Sequence, residues 1–228
     1  MDRREIIRLS ALAAAGVVLP ALVRASVLTQ KDALTGLREA LQRGATAAVG
    51  SLGRTDGFLA NDRVRIPLPT ALDQASGLLR AAGQGKRMDE LVTAMNRAAE
   101  SAVPLAKPML SNAIQSMSVS DAQKVLSGGD TSVTEFFAGK TRQPLSTHFL
   151  PIVRQSTDRL SLARKYNDLA GKAAKFGLVK GEDADVAQYV TGKALDGLFF
   201  MIGEEERRIR RDPIGTGSAI LKKVFGGL

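Results

Sequence analysis

The chain has no cysteine and no tryptophan, and it has a single histidine among 228 residues. The first absence excludes disulfides, thiolate metal sites, a cysteine nucleophile and a lipid-modified N-terminal cysteine. With His148 alone, a zinc or haem site built mainly from imidazole is excluded too. Any metal site would have to be made of carboxylates, and no cofactor is implied. Aromatic residues make up only 4% of the chain, and no stretch alternates apolar and polar residues long enough to read as a strand. The apolar share is nevertheless 44%, so a core is available. It must be built from Leu, Ala, Val, Ile and Met, and Ala and Leu favour helices. These facts point to the all-α class. No internal repeat or low-complexity linker divides the chain, which supports one compact multi-helix domain after an N-terminal targeting segment.

Residues 1–25 read as that segment. Arg3, Arg4 and Arg8 form a positive start, Leu9 to Val23 is an Ala-rich apolar run, and Val23-Arg24-Ala25 suits cleavage after Ala25. A run of fifteen residues is too short to span a hydrocarbon core of about 30 Å comfortably, so no permanent anchor is expected. Arg3-Arg4-Glu5-Ile6-Ile7-Arg8 also matches a twin-arginine signal, the alternative being an ordinary secretory signal that happens to carry two arginines. Cleavage would remove four arginines, one Asp and one Glu, taking the net charge from +9 to +7. A basic exported protein meets anionic envelope surfaces. Nucleic acid is not an expected partner, because the basic stretches lack interleaved aromatics for stacking.

The spacing predicts helices over Asp32–Val49, over Thr70–Ala82 with Asp73 completing an imperfect capping box, and over Lys86–Val103. The last has the cleanest stripe: Met88, Leu91, Val92, Met95, Ala98, Ala99 and Ala102. Further helices are expected through Met109–Met117, from Ser118 or Ser120 to Val125, and briefly from Ser132 to Ala138, stopping at Gly139. A long helical region is expected from Pro144 to about Phe176, bent near Pro151. Another should run from Asp183 or Asp185 to Arg211, and residues 212–228 should form a packed terminal helix with a stripe of Ile214, Leu221, Val224, Phe225 and Leu228.

Several polar groups are candidates for chemistry. Asp196 lies in Leu195–Ile202, which is apolar nearly all round, so it is expected to be buried and either paired or protonated. Asp89, Asn96 and Glu100 border the stripe of the Lys86–Val103 helix, with Arg97 further round; such an edge lines a cleft or solvates the helix. Glu204, Glu205 and Glu206 precede four arginines and read as an exposed end, with Glu204–Arg208 and Glu206–Arg210 pairs at i,i+4. His148 has no acid or serine at a telling spacing and reads as an interior or boundary histidine. Gly83-Gln84-Gly85-Lys86-Arg87 falls short of a phosphate loop, since Arg80 stands where a glycine is needed and no strand precedes it.

Longer stretches carry a resemblance. They include Asp56-Gly57-Phe58-Leu59, Arg65-Ile66-Pro67-Leu68-Pro69, Met95 to Glu100, Phe149 to Val153, Tyr166-Asn167-Asp168-Leu169, Ala194 to Phe199, and Ile209 to Pro213 running on to Gly226. In these the chain resembles the bacterial domain-of-unknown-function family 4197. The resemblance implies an exported, mainly helical envelope protein and no particular activity. Together with the polar edge, it leaves Arg65, Asn96, Arg97, Glu100 and Asp196 as candidate ligand-binding residues. The best reading is a binding or carrier module for an amphipathic ligand, lipid or another anionic envelope component. The alternatives are an enzyme using Asp196, Glu100 and Arg97, which requires the three to converge, and an assembly factor, which requires a large exposed apolar patch.

Overall fold

The computed structural model describes residues 28–126, 128–174 and 185–227. The expected signal peptide, Leu178–Glu182 and Leu228 lie outside them. The described residues form ten α-helices and no strand: α1 (Gln30–Leu52), α2 (Thr70–Gln74), α3 (Ser76–Ala81), α4 (Gly85–Ala102), α5 (Lys107–Gln115), α6 (Val119–Leu126), α7 (Ser132–Arg159), α8 (Leu162–Ala174), α9 (Val186–Arg211) and α10 (Ala219–Phe225), with a 3-10 turn at Val103–Ala106. None is long and apolar enough to cross a membrane.

Helix α1 starts at a capping box: Thr29 accepts from the Asp32 N–H while Asp32 accepts from the Thr29 N–H. Its inner face is built mostly of small residues, Ala33, Gly36, Ala40, Gly44, Ala45 and Ala48, which lets α9 and α10 approach closely. Helix α9 packs on α1 and α7. The α7–α9 contact includes an edge-to-face pair, Phe137 and Phe199, with ring centroids 6.1 Å apart. Helix α10 lies on α1, burying Leu221, Val224 and Phe225, with Ser218 as its N-cap.

Three expectations need correction. Helix α7 does not stop at Gly139 or begin at Pro144; it runs unbroken through Pro144 and Pro151. The stripe Val133, Phe137, Leu145, Phe149 and Val153 is buried along its length, and tertiary burial of that stripe outweighs the local cost of the prolines. The region instead breaks at Leu160-Ser161, where Ser161 takes a left-handed φ of 51°. Thr70 does not cap: the helix there starts without a side-chain cap bond and divides at Ala75. Ile214, expected on the terminal stripe, is exposed, because it precedes α10.

Candidate functional site

The polar edge of α4 turns out to hold a loop. Residues 53–69, between α1 and α2, have turns but no helix or strand. Yet Phe58 and Ile66 are fully buried, so their backbone groups need partners from elsewhere. Helix α4 supplies them. Asn96, itself fully buried, accepts from the Ile66 N–H at 2.9 Å and donates to the Ile66 carbonyl at 2.9 Å. It thereby pairs with the backbone as a neighbouring strand would. Oε1 of Glu100 accepts from the Phe58 and Leu59 N–H groups, each at 3.1 Å. Its Oε2 binds Arg97, which reaches Asp56 at 2.7 Å. Asp56 has a left-handed φ of 65°. These two carboxylates push the Arg97 guanidinium further above its ordinary pKa, Glu100 first. From the other side, the Tyr189 hydroxyl of α9 donates to the Pro67 carbonyl at 3.1 Å. Gly197 of α9 leaves room for the Phe58 ring, 2.7 Å from where a Cβ would stand.

Next to this clamp runs an open groove between α4 and the α7–α8 corner. Its larger part, 890 Å³, is lined by Arg80 of α3, by α4 from Lys86 to Arg97, and by Arg159, Leu160, Ser161 and Lys165. Its smaller part, 460 Å³, continues past Arg97, Arg159 and Leu160 to Gly53, Thr55, Glu100, Ser101 and Ser156. Among the described residues, two non-glycine positions have a left-handed backbone: Ser161 lines the groove, and Asp56 anchors Arg97 of its wall. Conformations of this kind cost about 1–3 kcal/mol and concentrate at functional sites. Across the lining, five cations face three acids. Arg80 pairs with Asp89 at 3.1 Å and Arg97 with Glu100. Lys86, Arg159 and Lys165 make no ion pair among the described residues. Ala94 and Leu160 supply apolar lining.

The five sequence candidates thus divide. Asn96, Arg97 and Glu100 stand together, with Arg97 and Glu100 on the groove wall. Arg65 is exposed on the clamped loop. Asp196 is elsewhere, and it is not buried as expected: its side chain is 51% exposed and pairs with Arg142 at 2.8 Å. It lines neither part of the groove, so the convergence required of the carboxylate–arginine enzyme is not met. Asp89 is exposed, and so is His148. The acidic triplet is also not uniformly surface. Glu206 is buried and accepts from the Val133 and Thr134 N–H groups at 3.1 and 2.8 Å, from the Thr134 hydroxyl, and from Arg210 at 2.9 Å. It caps α7 from across the core. Glu204 pairs with Arg207 and Arg63, and Glu205 with Arg208. Among the described residues no three His, Asp or Glu gather as a metal site, and the exposed large apolar residues, such as Leu78, Leu105 and Val119, sit on separate segments.

Sequence reading missed Arg159, Ser161 and Lys165 because it carried one helix through them. The available signal was Thr157-Asp158 followed by Ser161, residues that favour helix ends and caps over helix interiors.

No curated protein and no solved structure matches the chain. Residues 27–226, nearly the whole chain, match the family described as "Protein of unknown function (DUF4197)", and the protein belongs to that family.

Proposed function

We propose that the protein is an exported binding or carrier module that holds an amphipathic, anionic envelope ligand in the groove between α4 and the α7–α8 corner. The observation that carries this reading is the groove itself, open and large enough for a lipid-sized molecule, with an apolar strip at Ala94 and Leu160 between cationic side chains. The basic net charge and the signal-like residues 1–25 support placing it in the periplasm or beyond, where anionic lipids and polymers are the abundant charged surfaces. The polar groups nearest the groove are arranged for holding: Glu100 is occupied by two backbone N–H groups and an arginine.

The test is native mass spectrometry of gently purified protein, with Leu160→Glu as the comparison. A co-purified adduct of lipid-like mass, reduced in Leu160→Glu, is expected. A clean ligand-free mass, together with no thermal shift on adding envelope lipids, would overturn the proposal.

A further inference from the structure

We infer that the head group recognised by this groove is a dianion of the phosphomonoester type, held by Lys86, Arg159 and Lys165. The inference rests on the binding reading above and sharpens it to a ligand chemistry. Two of the five cations are already neutralised, Arg80 by Asp89 and Arg97 by Glu100 and Asp56. What remains in the larger part of the groove is three cations, Lys86, Arg159 and Lys165, against one acid, Glu90, none of them ion-paired among the described residues. Two unopposed positive charges match a group carrying two negative ones; a carboxylate or a phosphodiester would leave one unanswered.

The donor chemistry agrees. A phosphomonoester offers three acceptor oxygens and no obligatory donor. Arg159 offers a planar fork suited to two of them, and the lysines offer point charges. The Ser161 hydroxyl, at the same corner, has no protein partner among the described residues and is a further donor. Ser161 sits there only because its left-handed backbone ends α7 and starts α8, setting Arg159 and Lys165 on the two sides of one turn. Beyond Leu160 the groove continues as its second part, which gives an attached apolar chain somewhere to lie.

Isothermal titration calorimetry with short-chain, monomeric lipids tests this. At about pH 8 the phosphate of dihexanoyl phosphatidic acid carries close to two charges, whereas that of dihexanoyl phosphatidylglycerol carries one. The expected result is roughly tenfold tighter binding of the phosphatidic acid, the scale of one extra charge-assisted contact. The preference should vanish in Arg159→Gln/Lys165→Gln with the melting temperature unchanged, both side chains being at least partly exposed. Equal affinity for the two lipids would overturn the inference and leave the binding reading standing. A preference that survives in the double variant, or in Lys86→Gln combined with it, would overturn the assignment to these residues. Absence of binding by either lipid would count against both. Inorganic phosphate binding as tightly as phosphatidic acid would uphold the dianion and identify a free phosphate compound, not a lipid, as its source.

Discussion

Replacing Asn96 by alanine isolates the clamp on residues 53–69. In the native protein its buried amide satisfies both backbone groups of Ile66 and also donates to the partly buried Val92 carbonyl. Alanine leaves the Ile66 N–H and C=O without partners. An orphaned buried polar group costs about 1–3 kcal/mol, and removing the asparagine's own burial offsets part of the sum, so a loss of roughly 2–5 kcal/mol is expected. At about 3 °C per kcal/mol for a domain of this size, the melting temperature should fall by roughly 6–15 °C. Asn96→Asp is the sharper control. It keeps an acceptor for the Ile66 N–H but sets a carboxylate against the carbonyls of Ile66 and Val92. It should cost at least as much as alanine at neutral pH, and its deficit should narrow as the pH falls and the buried acid protonates into a donor. Thermal denaturation followed by circular dichroism gives the magnitude, and hydrogen exchange at the Ile66 amide gives the location. An alanine variant melting within about 2 °C of the parent, with Ile66 still protected, would refute the clamp.

Glu206→Ala removes the buried carboxylate that caps α7 and pairs with Arg210. It should lower denaturant stability by about 3–5 kcal/mol, a loss too large for a surface acid. Gly36→Ala would put a Cβ 2.6 Å from the stiff Val224 side chain. A loss of about 1–3 kcal/mol is expected, accompanied by faster amide exchange in α10 if that helix moves away to make room. Asp196→Asn, which breaks an exposed pair with Arg142, should change stability by less than about 1 kcal/mol; a larger drop would mean that the acid is not the surface group described here. Acid should act through Asp32, held down to about 2 by Lys223 and then Thr29, and through Asp121, held at about 2 by Lys140 and then Ser118. Both sit below their unfolded values, so their contribution is present above about pH 4 and lost as the pH falls through about 2. A double Asn variant should therefore show a flatter melting-temperature slope across that window, and an unchanged slope would count against both ion pairs.

Periodicity made the all-helical class and the stripe of α4 legible, because Met88, Leu91, Met95, Ala98, Ala99 and Ala102 record burial directly in their spacing. Where local rules failed, distant packing had outweighed them. Pro144 reads as a helix start from its neighbours alone, and only Phe137, Phe149 and what covers them explain why α7 continues. Asp196 fails differently. Leu195–Ile202 looks apolar all round, but Tyr189, Lys193, Asp196 and Phe200 lie three or four residues apart and share one side of α9, where each is at least partly exposed. Its aromatics, Tyr189 and Phe200, pack against the core on one side and carry cations on the other, Arg63 lying 4.4 Å from the Phe200 ring centre.

The candidate site shows the same limit more sharply. Spacing put Asn96 and Glu100 on a polar edge, but whether such an edge meets water or protein depends on the segment lying over it. That segment was readable in one respect. Residues 53–69 hold Phe58, Val64 and Ile66 among two glycines and two prolines, so they combine side chains that seek burial with a backbone unsuited to helix. A buried loop of that kind must find side-chain partners for its N–H and C=O groups. An asparagine, which both donates and accepts, and a carboxylate, which accepts twice, on the flank of a neighbouring amphipathic helix are the residues that can supply them. On this argument polar residues bordering an apolar stripe are best weighed against the loops left without a partner before they are assigned to a ligand. The ligand contacts we propose for the groove then fall to Lys86, Arg159 and Lys165, the cations that no loop and no neighbouring acid among the described residues has claimed.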